Sequence, residues 1–232
     1  MAAAPAGGAT VRLGPAAVVF DLDGVLIDSE GLQYRAYTQV LARYGVQVSP
    51  EEYARHWIAD GRGPEYAVDR YRLPLAPADL RALKGEVYHD ILRAEVTLMP
   101  GVPEVLARLS PDFPLAIATN SGRSDVQLVL DRFGWAAVFR AVVAREDYAA
   151  AKPAPDAYLA AATRLGVAPT RCLVVEDAHR GVVAASRAGA VVVAVPNAFT
   201  RHNDFALAAA VLDDLSALDA DVVRRLLAAR VE

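Results

Sequence analysis

Polar side chains of catalytic type directly follow three short apolar runs in this sequence. They lie in Asp21-Leu22-Asp23-Gly24, in Thr119-Asn120-Ser121 and in Glu176-Asp177. Paired carboxylates can serve as nucleophile, as general acid and base, or as metal ligands. Hydroxyl and amide groups can donate hydrogen bonds to anionic oxygens. The three groups therefore indicate chemistry on an anionic substrate, provided that the fold brings them together.

The apolar runs predict the sheet that would position these groups. They are continuous rather than alternating, as is typical of strands covered on both faces, and they span residues 16–20, 115–118, 141–144, 173–175 and 191–195. Helical patterns over 124–133, 155–165 and 182–188 each end near a glycine (Gly134, Gly166 and Gly189). Alternating strands and helices predict an α/β fold with a doubly wound parallel sheet and a Rossmann-like core. The carboxyl ends of its strands share one crevice, where the polar groups would converge.

Four converging carboxylates imply a bound cation. Without one, they would repel one another and raise one another's pKa values. Oxygen ligands without Cys or His favour Mg²⁺ over zinc. An Asp after a strand is also a common turn residue or helix N-cap, but that explains three aligned sites poorly. Lys152, in Lys152-Pro153-Ala154-Pro155, is best interpreted as a buried counter-charge to these carboxylates.

Residues 32–97 interrupt the strand–helix alternation. They contain no strand-like run, only amphipathic helical patterns with Gly and Pro breaks, and their nine basic residues balance nine acidic ones. A nucleic-acid-binding module would show a basic excess, so this all-helical insertion is interpreted as a lid or an interaction domain. The predicted domains are a core of residues 1–31 and 98–232 and the insertion of residues 32–97.

Composition limits the remaining possibilities. The chain has 232 residues, 54% of them hydrophobic, with 24 Lys and Arg against 28 Asp and Glu. The apolar share excludes disorder, and the charge balance argues against nucleic acid and anionic membranes as partners. Cys172 is the single cysteine, and no apolar run reaches the ~18 residues of a membrane span. Without a signal-peptide pattern, we expect a soluble cytoplasmic protein with a mobile leader of about a dozen residues; the oligomeric state stays open.

With these motifs in order, the sequence resembles the haloacid dehalogenase superfamily of phosphohydrolases. Residues 21–30 (DLDGVLIDSE) resemble its first motif, Thr119 the second, Lys152 the third, and Glu176-Asp177 with Gly181 the fourth. The resemblance runs from about residue 16 to the end of the chain. The helical insertion resembles the cap domain of the branch that contains phosphoglycolate phosphatase and β-phosphoglucomutase.

The resemblance implies how phosphoryl transfer would proceed. Asp21 would be the nucleophile that forms an aspartyl-phosphate, and Asp23 would protonate the leaving alcohol and then activate water. Mg²⁺ would be held by Asp21, the backbone carbonyl of Asp23 and Asp177, with Glu176 beside it directly or through water.

It also implies how the substrate phosphate is held. Thr119 and the amide of Asn120 would bind phosphate oxygens, and Lys152 would neutralise charge on the transferring group. Gly24 would permit close backbone approach to the phosphate. In the cap, Arg62, Lys84 and Gln33 are candidate substrate contacts.

Three functions remain open within this resemblance. The favoured one is an Mg²⁺-dependent phosphatase of a small metabolite, in the sugar or polyol phosphate class. A β-phosphoglucomutase-like mutase is the alternative, but Gln33 stands where those enzymes carry histidine, and their Arg-containing cap loop is altered in 60–64 (DGRGP). The third is an inactive relative that binds a phosphorylated metabolite or a protein. The acid Asp23 and the pair Glu176-Asp177 argue against dehalogenation, which needs neither.

Overall fold

A six-stranded parallel sheet forms the centre of the computed structural model, which describes residues 15–229. Its strand order is β3-β2-β1-β4-β5-β6, so the predicted doubly wound parallel sheet is confirmed. The leader predicted at the N-terminus lies outside the described residues. The sequence pattern did not predict β6, which has only two residues. The strands are β1 (Ala17–Phe20), β2 (Leu115–Ala118), β3 (Ala141–Val143), β4 (Cys172–Glu176), β5 (Val191–Ala194) and β6 (Ala210–Val211).

Five helices cover the two faces of this sheet. Three of them end at or just before glycines with left-handed backbone: Gly134 and Gly166, each with φ of 69°, and Gly189, with φ of 84°. The last turn of each helix is therefore closed as the sequence predicts. The helices are α5 (Val102–Leu109), α6 (Arg123–Phe133), α7 (Asp156–Leu165), α8 (His179–Arg187) and α9 (Ala220–Ala228).

The two faces of the sheet are packed with side chains of different size. Alternate residues of a strand point to opposite faces, so Val18 and Phe20 pack with α5, α6 and α9, while Ala17 and Val19 pack with α7 and α8. Of the 21 buried residues on the α7–α8 side, 12 are alanine, so these helices can lie close to the strands. We call this side the alanine-rich face.

Residues 30–95, here called the helical segment, connect β1 to α5 and contain no strand. They pack around their own apolar cluster, in which the rings of Tyr53 and Trp57 stack with centroids 5.6 Å apart. A bridge between Ile27 and Leu98 joins the two ends of the segment. The domain division at residues 32 and 97 stays a prediction; the first helix of the segment begins at Glu30, two residues before the first boundary. The helices are α1 (Glu30–Ala42), α2 (Pro50–Tyr53) with a π-helical turn (Ala54–Ala59), α3 (Gly63–Tyr71) and α4 (Pro77–Glu95).

The helices of residues 15–229 include none that is both long enough and apolar enough to cross a bilayer.

Candidate active site

Three buried carboxylates meet at the carboxyl ends of two neighbouring strands. Phe20 of β1 pairs with Val175 of β4, and the N–H of Asp21 continues this ladder by donating to the Val175 carbonyl at 2.9 Å. Asp21 thereby lies beside Glu176 and Asp177. One oxygen of each carboxylate lies within 4.8 Å of the others. The crevice expected from parallel strands therefore brings these groups together.

Lys152 is the counter-charge of this cluster. Its ammonium donates to Asp21 Oδ1 at 2.6 Å, to Glu176 Oε1 at 2.7 Å and to the Ala118 carbonyl at 3.0 Å. Burial lowers the pKa of Lys152, but the two carboxylates raise it above its usual range. Tyr158 also donates to Glu176 Oε1. All three donors of the ammonium are thus used, as a buried charge requires.

The cluster carries more negative charge than Lys152 can neutralise. Burial raises the pKa of Asp21 to about 8, although Lys152 lowers it, and Glu176 and Asp23 add to the increase. Burial raises the pKa of Asp177 well above its usual range, and the negative charge of Glu176 makes the second-largest contribution to the increase. A divalent cation would offset this excess, and an all-oxygen donor set suits Mg²⁺. The residues present therefore fit the metal that the family resemblance implies.

The backbone of Gly24 lies against the Asp177 carboxylate. With φ of 77°, a Cβ at this position would lie 2.9 Å from Asp177 Cγ and 2.7 Å from Asn197 Nδ2. Only glycine fits there, because both the backbone conformation and the space exclude a side chain. The close approach is to the carboxylate cluster, whereas the sequence prediction for Gly24 concerned phosphate. Asn197 donates to Asp177 Oδ2 at 2.7 Å and was not predicted, because no motif surrounds it.

The Asp23 carboxylate has a different environment from that of Asp21. It faces side chains from both the sheet and the helical segment, and it accepts hydrogen bonds rather than a salt bridge. A hydroxyl-rich setting with no direct cation is suited to a group that gives and takes protons. Its donors are Ser29 (2.6 Å), Gln33 (3.3 Å), Tyr88 (3.3 Å), Thr119 (3.4 Å) and Ser121.

The loop after β2 is held in place by its own side chains. Thr119 Oγ1 accepts from the Ser121 N–H at 3.0 Å, and Asn120 Oδ1 accepts from the Lys152 N–H at 3.2 Å. Tyr148 also donates to Asn120 Oδ1 at 2.7 Å. These bonds fix the Thr119 hydroxyl beside Asp23; phosphate binding by Thr119 and Asn120 stays a prediction.

A cavity of about 380 Å³ lies between the strand ends and the helical segment. Its walls include Asp21 and Asp23 from the strand ends, together with Gln33 and Lys84 from the helical segment. Arg62 is exposed and is not among the residues that line it. The cavity has the volume of a small-molecule site.

Comparisons with known proteins identify the family. The family model described as haloacid dehalogenase-like hydrolase matches residues 18–195. The chain belongs to the haloacid dehalogenase-like hydrolases. It is 35% identical over 213 residues to Protein CbbY of Rhodobacter capsulatus, covering 87% of this chain and 94% of that protein. It is 35% identical over 179 residues to fructose-1-phosphate phosphatase YqaB of Escherichia coli, covering 75% and 93%.

A solved structure supports the same assignment. A crystal structure of a CbbY variant from Rhodobacter sphaeroides in complex with xylulose-(1,5)bisphosphate is 30% identical, with a TM-score of 0.77, and covers 88% of this chain and 96% of that one. The predicted superfamily and its phosphatase–mutase branch are confirmed. Within this family, the chain is a phosphoric monoester hydrolase that acts on phosphorylated small molecules.

Several cavity residues of this hydrolase lay outside the sequence predictions. Glu30, which ends the first motif, lines the cavity, and burial raises its pKa to about 7, with Asp23 adding to the increase. Arg180, within the fourth motif, also lines it. Glu30 belongs to the first motif and Arg180 lies within the fourth, but only the fold shows that both residues line the cavity.

Lys84 is a cation surrounded by aromatic rings. Its ammonium lies 4.0 Å from the ring centre of Tyr88 and 5.4 Å from that of Tyr37, and it donates to Gln33 Oε1. Burial lowers the pKa of Lys84 to about 8, although Asp23, Asp125 and Glu30 raise it. The ammonium therefore loses its proton within the range in which the enzyme can be assayed.

We expect substrate binding by Lys84 to weaken as the pH rises through about 8. A lowered pKa means that the charged form is present below that pH and is lost above it. The wild-type KM should rise by about tenfold between about pH 7 and pH 9, the worth of one charge-assisted hydrogen bond. Lys84→Gln should show a KM that is already high at pH 7 and that changes little between pH 7 and pH 9. Parallel KM profiles for the two proteins would contradict the prediction.

Proposed function

We propose that this hydrolase is an Mg²⁺-dependent phosphatase that cleaves sugar or polyol phosphates through an aspartyl-phosphate on Asp21. The observation that carries the proposal is the contrast between two aspartates of one cavity. Asp21 lies in a carboxylate cluster with Lys152, while Asp23 lies among hydroxyl donors. Two carboxyl groups in such different environments can take the separate roles of nucleophile and acid–base.

The first half-reaction forms the covalent intermediate. Lys152 and Asp21 Oδ1 are 2.6 Å apart, which leaves Oδ2 free of this contact and able to attack phosphorus. The bond between phosphorus and the ester oxygen breaks as the new one forms. Asp23 gives its proton to the leaving alcohol, so that a neutral alcohol departs.

The second half-reaction releases phosphate. Asp23, now ionised, takes a proton from water, which attacks phosphorus and frees the Asp21 carboxylate together with inorganic phosphate. Asp21, Asp177 and the backbone carbonyl of Asp23 would hold Mg²⁺, with Glu176 beside it. When bound, the ion would reduce the repulsion between the anionic nucleophile and the anionic phosphate. Thr119 and Lys152 would stabilise the charge that develops on the transferring group.

Size, wall chemistry and relatives support the substrate class. The cavity suits a molecule of sugar size, and its walls combine Tyr37 and Trp57 with the polar groups of Glu30 and Gln33. Two of the relatives are a fructose-1-phosphate phosphatase and a CbbY variant crystallised with xylulose-(1,5)bisphosphate. A buried, single Cys172 is compatible with the proposed cytoplasmic location.

We expect the aspartyl-phosphate to be transferred to water rather than to a sugar. The Gln33 amide donates to Asp23 Oδ1 at 3.3 Å and accepts from Lys84, so it holds Asp23 but cannot relay a proton. The enzyme is incubated with Mg²⁺, β-glucose 1-phosphate and a catalytic amount of β-glucose 1,6-bisphosphate. The amount of inorganic phosphate formed should exceed the amount of glucose 6-phosphate. Gln33→His should raise the glucose 6-phosphate share.

The same assay tests the substrate class. Across phosphorylated sugars, polyols and nucleotides, the highest kcat/KM for phosphate release should fall on a sugar or polyol ester. Glucose 6-phosphate formed faster than phosphate would favour the mutase function. A nucleotide as the best substrate would contradict the proposed class, and no Mg²⁺-dependent phosphate release from any ester would contradict the function itself.

A further inference from the structure

Arg180 lies at the boundary between the sheet and the helical segment. It is in the first turn of α8, three residues after Asp177, and it lines the cavity. Its guanidinium donates to the backbone carbonyl of Lys152 and lies against Gly61, where a Cβ would overlap the guanidinium. Gly61 therefore leaves the space that this side chain occupies. The guanidinium is held above the loop that carries the catalytic lysine.

The charge of Arg180 has no carboxylate partner among residues 15–229. Two other cations of the cavity have carboxylate partners: Arg81 forms an ion pair with Glu65, and Lys152 bonds two carboxylates. Lys84 is held instead by the rings of Tyr37 and Tyr88 and by Gln33. Arg180 is half-buried, and burial lowers its pKa without an acidic neighbour to offset the effect. A guanidinium remains charged even so. Keeping it partly buried and unpaired is unfavourable until an anion reaches it.

We infer that Arg180 binds a second anionic group of the substrate, a phosphate or a carboxylate remote from the bond that is cleaved. The inference rests on the proposed phosphatase function and narrows its substrates to phosphorylated metabolites with two anionic groups. The Lys152 ammonium faces the nucleophile, while Arg180 bonds the carbonyl at the other end of the same residue. Both residues line the same cavity, so one substrate can contact both. A planar guanidinium suits both anions, since it can donate two parallel hydrogen bonds.

The helical segment contributes no equivalent arginine to the cavity. Arg62, the arginine predicted from the sequence, is exposed and does not line the cavity, and Arg81 is paired with Glu65. We therefore assign recognition of a remote anion to Arg180 of α8, the helix that begins just after Asp177. An arginine on this element would act without movement of the helical segment.

Arg180→Gln tests the inference, with Arg187→Gln as its matched control. Both arginines are on α8 and both donate to the backbone of the same loop, since Arg187 Nη1 bonds the Pro153 carbonyl at 3.0 Å. Arg187 is outside the residues that line the cavity. The probes are two matched pairs: fructose 1,6-bisphosphate with fructose 1-phosphate, and phosphoglycolate with 2-hydroxyethyl phosphate. The first pair tests a second phosphate and the second tests a carboxylate.

We expect kcat/KM of the wild type to favour the doubly anionic member of at least one pair. Arg180→Gln should reduce that preference by roughly ten- to a hundredfold, while phosphate release from the singly anionic member changes little. Arg187→Gln should keep the wild-type preference. An equal loss for both members of a pair would show instead that Arg180 supports the loop and the helical segment, and would overturn the inference.

A binding measurement keeps this test separate from the test of the proposed function. Calorimetric titration of Asp21→Asn, with and without Arg180→Gln, gives Kd for the same pairs without turnover. If the wild type releases no phosphate, the proposed function fails, and the Kd ratios still decide the role of Arg180. Within each pair, the Kd of the singly anionic ester is divided by that of the doubly anionic one. A ratio near one in both pairs, or a ratio that Arg180→Gln leaves unchanged, overturns the inference.

Discussion

Asp21→Asn is expected to lower kcat by at least about a thousandfold while the fold is retained. An amide nitrogen or oxygen does not form the aspartyl-phosphate, so the first half-reaction is lost rather than slowed. The replacement is nearly isosteric, and Lys152 keeps its bonds to Glu176 and to the Ala118 carbonyl. The measurements are kcat with the best ester from the substrate panel and a thermal unfolding curve for each protein.

The control for this variant is Asp131→Asn, the same change on the exposed surface of α6. Asp131 accepts a hydrogen bond from Gln127 and does not line the cavity. Its kcat should equal that of the wild type. If Asp21→Asn retained more than a tenth of the wild-type kcat, another residue would have to be the nucleophile.

Removal of divalent metal is the second large effect that we expect. The three carboxylates of Asp21, Glu176 and Asp177 face a single ammonium, so the cluster repels an incoming phosphate when no cation is bound. Chelation with EDTA should lower kcat by at least about a hundredfold, and added Mg²⁺ should restore it. Asp177→Asn removes one ligand charge and should raise the Mg²⁺ concentration for half-maximal activity by about tenfold or more.

Two further results distinguish a metal effect from a folding effect. Asp131→Asn should need the same Mg²⁺ concentration as the wild type. Asp177→Asn should unfold at a similar temperature, since the new amide can still contact Asn197, which donates to Asp177 Oδ2 at 2.7 Å. Full activity after exhaustive chelation would contradict the proposed role of Mg²⁺.

The fold and the centre of the site could be predicted because both depend on local sequence. Continuous Val- and Ala-rich runs can be recognised as doubly covered strands, and a parallel sheet brings the ends of such strands to one edge. Once β1 and β4 are neighbours, Asp21 and Asp177 must lie near each other. The predicted end of β4 at Val175 was one residue short, because Glu176 still belongs to the strand.

The outer part of the site could not be predicted in the same way. The side chains of Arg62 and Arg180 have the same chemistry, and their surroundings depend on how the turn at 60–64 meets the start of α8. Asn197 reaches Asp177 from a loop after β5, with no pattern to mark it. The strand β6 pairs over two residues only, and its burial is partial, so it lacks the apolar run that marks the other strands.

The alanine-rich face has a consequence for how this enzyme can change during evolution. A methyl group is the smallest side chain that a residue with a Cβ can have, so almost every substitution of one of its 12 alanines adds volume and displaces α7 or α8. Displacing α8 moves the residues just before it, Asp177 among them. Variants selected in the laboratory for new substrates should therefore accumulate few changes on this face. Adaptive changes should fall in the helical segment and at the mouth of the cavity, where a new side chain alters recognition without shifting the carboxylates.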